Sequence, residues 1–316
     1  MGTARNRPRR RLANVFAIFA LLFGVSLGSL AAGQTPPKVE VKTLSLGIVS
    51  ETHQKDIEEH FRDFVRYVAR TLSAASAVEG RVVVAGTSFE LVKLLEQKKV
   101  DFYMESPYAT YVINNVHGAG RLLLRRWKEG MAEYQSLIFT KSHSEINRLE
   151  DLRGKIIAFE DPGSSSGYYL PKSFLLRKGF KLADKSRFDP YGSPTEVGYL
   201  FAYSQKKLVD LVLTKQVAAG AFSDADYAAL DQKRRSDIAV LAQTDKLPRH
   251  LLSVRKDLAP ALAGRLEETL LAMHEDAEGR RILQKTDGTT KFDTLPGGEA
   301  GMRRKLLEGF ESAEKK

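Results

Sequence analysis

Lys155-Ile156-Ile157-Ala158-Phe159 runs into Asp161-Pro162-Gly163-Ser164-Ser165-Ser166-Gly167, and Tyr168–Lys178 follows before Gly179. The first five residues read as a buried strand, and the last stretch as a helix closed by its glycine. Between them, three hydroxyls crowd the start of a helix. Unpaired backbone N–H groups and the positive end of the helix dipole favour an anion there. Each hydroxyl donates one hydrogen bond without a fixed counter-charge, so an oxyanion can be held and still released. One serine is enough to cap a helix. Three in a row between Gly163 and Gly167, where the backbone can come close to a ligand, point to a binding turn.

The same strand–helix alternation recurs upstream. Val41–Val49 alternates like a strand, and Ile57, Phe61, Phe64, Val65, Val68 and Leu72 recur at helical spacing. Arg81–Ala85 reads as a second strand. Thr87 with Glu90 forms a capping box opening a helix, and Val100–Met104 reads as a third strand. Downstream, Tyr134–Lys141 reads as a strand, Leu149–Gly154 as a turn or short helix, and Val197–Lys207 as helical. Leu208–Leu213, Val217–Phe222, Ile238–Ala242 and Leu251–Val254 read as strands, and Pro260–Lys285 and Glu299–Glu314 as helices. Such an order predicts an α/β fold of two lobes, each a mixed, mostly parallel sheet flanked by helices. The expected lobes are 44–140 plus 246–316, and 141–245, with crossings near Thr140–Ser142 and Gln243–Pro248. Ligands of such sheets bind beyond the carboxyl ends of the strands, here a cleft between lobes.

The formal charge of +10 is concentrated at the start of the chain, where Arg5, Arg7, Arg9, Arg10 and Arg11 precede an apolar run and no acid occurs before Glu40. Removing residues 1–32 leaves +5, with both signs interspersed and no basic stripe, which argues against nucleic acid. Basic stretch, apolar Leu12–Leu27 and small Ser29, Ala31 and Ala32 have the three parts of a secretory signal, followed by a linker at 33–43. Leu12–Ala32 is also long enough to remain as a membrane anchor. Arg9-Arg10-Arg11 only loosely suggests a twin-arginine signal. The chain has no cysteine, which excludes disulfides, thiolate chemistry and a cysteine-linked lipid anchor. The expectation is a monomer, free in the periplasm.

Ile146-Asn147-Arg148-Leu149-Glu150-Asp151-Leu152-Arg153-Gly154-Lys155-Ile156-Ile157-Ala158 resembles the I-x-x-L-x-D-L-x-G-K-x-I-A run of type II periplasmic binding proteins. The Ser-Ser-Ser-Gly-Tyr stretch after it, with Pro171 four residues beyond Gly167, resembles the phosphonate/phosphate/phosphite-binding subfamily of ABC transporter components. Leu46-Gly47-Ile48-Val49, Val100-Asp101 leading to Ser106-Pro107-Tyr108, and Tyr134-Gln135-Ser136 support it over residues 44–310. The resemblance implies that Ser164, Ser165 and Ser166 hold a small phosphorus oxyanion from one lobe, and that Tyr108 closes the cleft from the other. Gly163, Ser106 and Thr195 complete the expected ligand-binding set. Tyr134 matches a recurrent family tyrosine and is expected to pack in the core.

Two departures bear on the ligand's organic end. Gly192-Ser193 is followed by Pro194-Thr195 where relatives carry Gly-Ser-His, and Val217-Ala218-Ala219 stands where they carry Val-Asp-Ala. Glu105, Glu196 and Asp224 could pair with an ammonium group, although each is more often a solvated carboxylate. A hydrolase reading sits on the same turn. Gly163-Ser164-Ser165-Ser166-Gly167 satisfies G-x-S-x-G, with Ser165 as nucleophile and Asp224 with His250 or His274 as partners. Pro162 and the lack of an upstream oxyanion segment argue against it. The six histidines show no metal-ligand spacing. No catalytic residue, cofactor or metal is therefore expected. The partners expected are the oxyanion and either an ABC permease or a membrane sensor kinase.

Overall fold

Thr43–Val49 (β1) buries Leu44, Leu46 and Ile48 under the amphipathic helix Gln54–Leu72 (α1), whose Phe61, Phe64, Val65 and Val68 face it. The computed structural model describes residues 43–51, 54–73, 78–185 and 194–314, which lie within one compact unit. The expected signal and linker, Gly192 and Ser193 fall outside the described residues.

The chain continues through Glu79–Ala85 (β2), Ser88–Glu96 (α2), Phe102–Glu105 (β3), Pro107–Tyr111 (α3) and Gly120–Lys128 (β4). Next come Glu133–Tyr134 (β5), Ser136–Lys141 (β6), Ile156–Phe159 (β7), Leu170–Arg177 (α4), Lys181–Asp184 (β8), Glu196–Phe201 (β9) and Gln205–Leu213 (α5). Ala219–Ser223 (β10), Asp224–Ala229 (α6), Gln232–Ser236 (α7), Ile238–Gln243 (β11), Leu247–Pro248 (β12) and His250–Arg255 (β13) follow. Pro260–Ala272 (α8), Ala277–Lys285 (α9), Thr289–Thr294 (β14) and Gly298–Glu314 (α10) complete the chain. The box expected at α2 is half formed. Thr87 accepts from the Glu90 N–H, but the Glu90 carboxylate takes the Gly86 N–H.

Two six-stranded sheets result, ordered β14-β4-β13-β3-β1-β2 and β11-β6-β10-β7-β9-β8. Each is mixed. β1 runs parallel to β2 and β3, and β7 parallel to β9 and β10. The strand arriving from the other sheet, β13 or β6, is antiparallel to both its neighbours. The two passages between sheets, β5 and β12, pair with each other through Leu247 with Tyr134 and Pro248 with Glu133. Ser136–Lys141 thus belongs to the second sheet, and the chain leaves the first one before Ser136. The crossing expected at Thr140–Ser142 is displaced upstream.

A further correction concerns Val197–Lys207. Its first half is the strand β9, in register with β7 from Ile156 opposite Gly198 to Phe159 opposite Phe201. Leu208–Leu213, expected as a strand, lies in α5, whose start Ser204 caps by accepting from the Lys207 N–H. β4 carries Arg125, Arg126 and Lys128 and so shows no apolar alternation. Arg126 is nonetheless 2% exposed. It donates to Thr289 Oγ1 at 2.7 Å and to the carbonyls of Thr286 and Asp287 at 3.2 and 2.9 Å.

α10 joins the two sheets. Leu306 and Phe310 pack with Tyr111, Leu122 and Leu251 from the first sheet's side, and with Leu170 from α4. Arg177 of α4 donates to the α10 carbonyls of Glu308 and Gly309 at 2.8 and 3.3 Å.

Candidate oxyanion site

The stretch after β7 divides its three serines between two tasks. Ser164 caps the helical turn, its hydroxyl accepting from the Gly167 N–H at 2.9 Å and donating to Glu160 Oε2 at 2.8 Å. Ser165 and Ser166 lie one step inside, only 5% and 9% exposed, in a widened helical turn, Ser165–Tyr169, that leads into α4. Such turns recur at functional sites. Gly167 is required by close packing, because a Cβ there would stand 2.6 Å from Glu160 Cβ and 2.8 Å from Ser164 Oγ. Burial raises the Glu160 pKa, the Ser164 hydroxyl opposes this, and the nearby Asp226 and Asp161 charges add to it.

The facing element is the start of α3, at the carboxyl end of β3. The Tyr108 backbone N–H donates to Ser165 Oγ at 3.0 Å, bringing a first-turn donor from one sheet's side onto the serine turn of the other. The Tyr108 ring lies within 9° of parallel on Tyr169 and meets Phe310 edge-on at 5.5 Å. Pro107, at the first helical position, gives up no hydrogen bond there. Ser106 precedes it as the N-cap without a side-chain capping bond. Glu105, 8% exposed, accepts from the Val49 N–H at 2.6 Å. Burial pushes its carboxyl up to about 7, against the pull of the Val49 and Ser106 N–H groups and of Arg126.

Tyr134 comes to the same place from the passage between sheets. Its ring is buried with Leu170, Leu247 and Leu251, as a core residue's would be. Its phenol lies near the Ser165 and Ser166 hydroxyls. Burial raises its pKa, while Ser165, the Arg249 charge and Ser166 act the other way. Sequence reasoning matched Tyr134 to a recurrent family tyrosine but favoured packing as its role. The polar Gln135-Ser136 that follows it was the available signal that this strand end is more than core.

The structure therefore brings together Ser165, Ser166, Tyr108 and Tyr134, with Ser164 as the cap beside them. Gly163 is exposed, and its N–H is spent on Asp161 Oδ1 at 2.7 Å. Thr195 does not join them. It precedes β9, which runs parallel to β7, so it lies at the opposite end of the sheet from the serine turn, about 20 Å away by strand rise. Its place in the expected set came from following Gly192-Ser193-Pro194, where relatives carry Gly-Ser-His. Glu196, the first residue of β9, lies at the same end of the sheet. Asp224 does stand at the correct end, its Oδ1 accepting from the Gln135 N–H at 3.4 Å. The hydrogen bond to Ser165 Oγ comes from the Tyr108 amide, not from the imidazole a serine nucleophile needs. His250 is half-buried in β13 instead, its pKa lowered by desolvation and by Arg126, Lys128 and Arg249.

Several known proteins are similar to this chain in fold or sequence. XAC2383 from Xanthomonas citri, in a structure bound to ATP, superposes with a TM-score of 0.75 at 25% identity, over 85% of this chain and 96% of that one. PhnD1 from Prochlorococcus marinus, in complex with methylphosphonate, has the same fold, with a TM-score of 0.57 at 17% identity over 84% and 99% of the two chains. The phosphate-import protein PhnD of Mycolicibacterium smegmatis is 27% identical over 177 residues, 55% of this chain and 54% of that protein, so the match spans about half its length. Residues 46–295 match the family model of the periplasmic substrate-binding protein of phosphonate ABC transporters. The chain belongs to that family of periplasmic phosphonate-binding components, with the type II periplasmic binding protein fold.

Proposed function

We propose that this protein captures a small phosphorus oxyanion (a phosphonate, phosphite or phosphate) outside the cytoplasm and delivers it, as a monomer, to the permease of an ABC transporter. The observation that carries this reading is the bond from the Tyr108 amide to Ser165 Oγ, where polar donors from both sheets converge beyond the strand ends. Ser165, Ser166 and Tyr134 would surround the oxyanion with hydroxyls, and the amides at the starts of two helical turns would add partial positive charge. Charge-assisted hydrogen bonds in such a largely buried place are about twice as strong as neutral ones.

In this reading, the two sheets with their helices act as lobes, 43–128 with 250–314 and 136–243, and the paired β5 and β12 form the hinge. Ligand binding favours the closed arrangement, which the permease then recognises. Calorimetry and thermal shift against phosphate, phosphite, methylphosphonate, 2-aminoethylphosphonate, ATP and sulfate test the reading. Stabilisation by at least one phosphorus oxyanion and not by sulfate is the expected outcome. A chain indifferent to all of them would reject it.

A further inference from the structure

Two buried polar atoms lie near Tyr134, and the oxyanion reading above does not use them. Ser136, the first residue of β6, is fully buried, and its hydroxyl finds no hydrogen-bond partner among the described residues. Its backbone is satisfied, because the N–H donates to Thr244 Oγ1 at 2.9 Å and the carbonyl accepts from the Thr244 N–H at 3.0 Å. The hydroxyl opposite in the ladder, Ser223 Oγ, is already held by Asp226 at 2.6 Å. An orphaned buried hydroxyl carries a desolvation penalty that alanine would avoid, so its presence calls for a partner.

The direction of the Ser136 side chain follows from the strand. Residues two apart share a face, so Ser136 points as Ile138 does, into the core formed by Phe159, Tyr168 and Leu175. That face is covered by the Ser165–Tyr169 turn and α4. Ser136 pairs with Ser223, the last residue of β10, and so sits at the same end of the sheet as the serine turn.

The Arg249 guanidinium carbon lies 5.7 Å from the Tyr134 ring centroid. Its Nε is buried without a hydrogen-bond partner. Among the described residues, the carboxylate paired with it is Glu129 at 3.5 Å, itself 59% exposed and so well screened. Arg249 follows β12 directly, anchored by its N–H on the Ala132 carbonyl at 2.8 Å. At Tyr134 the Arg249 cation acts against the negative charge of Asp226.

We propose that Ser136 and Arg249 complete the oxyanion site beside Tyr134. Ser136 donates a further hydrogen bond, and Arg249 supplies the positive charge that suits a doubly charged tetrahedral anion. This rests on the serine turn being the ligand site.

The test is calorimetry at pH 8 with inorganic phosphate and methylphosphonate on the wild type and on Ser136→Ala, Arg249→Gln, Arg249→Lys and a Ser165→Ala/Ser166→Ala double variant. Each ligand-free melting temperature is recorded as well. Ser136→Ala should bind about tenfold more weakly while melting no lower than wild type, because it sheds an unpaired hydroxyl. A residue with only a structural role would not separate the two readouts. Arg249→Gln should lose about tenfold or more, with Arg249→Lys recovering most of it, as expected for a charged hydrogen-bonding group. If the double variant loses binding while Ser136→Ala and Arg249→Gln stay within twofold of wild type, this inference fails and the oxyanion reading stands. If the double variant binds as wild type does, or the wild type binds neither anion, both fail.

Discussion

The Tyr108 N–H and Ser165 Oγ meet at 3.0 Å across 57 residues of sequence, tying the first turn after β3 to the turn after β7. Each partner follows a strand of a different sheet, so in the reading proposed above this one bond reports on closure and on the anion site together.

The division of labour among the serines predicts separable effects. Ser165→Ala with Ser166→Ala should lower oxyanion affinity by about 100-fold or more, two lost hydrogen bonds to a charged group, with little change in stability. Ser164→Ala, which removes a helix cap, should cost about 1 kcal/mol of stability and disturb affinity less. Calorimetry paired with urea denaturation distinguishes them. Equal loss of affinity in all three positions would contradict the assignment of Ser164 as a cap.

Glu105 makes stability pH-dependent. Its carboxyl is raised to about 7 in the folded protein from an ordinary 4.5, so the folded state holds its proton more tightly than the unfolded chain. The contribution is fully present below about pH 4.5 and is lost as pH rises through about 7. Glu105→Gln should therefore exceed wild type in stability at pH 8, by up to about 3 kcal/mol, with the gap closing towards pH 4.5. Denaturation midpoints across that range would show it. A gap that widens on acidification would contradict the sign.

Arg177 reaches from α4 to the α10 carbonyls, so Arg177→Met should weaken the contact across the two sheets. The expected cost is about 1–3 kcal/mol, seen as a lower melting temperature and a few-fold weaker apparent affinity through loss of the closed population. Small-angle scattering should show a larger radius of gyration without ligand. An unchanged radius and affinity would show that the helices stay docked without it.

Thr195 lies at the wrong end of β9 for ligand contact. Thr195→Ala should leave affinity for any bound oxyanion within about twofold, the range expected of an exposed substitution remote from the site. A tenfold loss in calorimetry would return it to the binding set.

Local patterns made much of this legible. α1 shows its buried stripe in the spacing of Phe61, Phe64, Val65 and Val68, β1 alternates Leu44, Leu46 and Ile48 with smaller residues, and β7 is a short apolar run bounded by turn residues. The serine turn could be read because its chemistry is carried by consecutive residues. β9 could not, since Glu196–Phe201 mixes apolar residues with glycine and becomes a strand by pairing with β7 and β8. The charged strand β4 is likewise fixed by its neighbours β13 and β14.

The chain's own order of residues thus determined the α/β class, the family signature and the hydroxyl-rich turn, because each is written in contacts between near neighbours. Only the tertiary structure decided which residues share that turn. Tyr134 is separated from Ser165 by 31 positions, and folding of two sheets about one ribbon brings the two near each other. Thr195 is nearer in sequence than Arg249 yet lies far away, because a strand carries its two ends to opposite edges of a sheet.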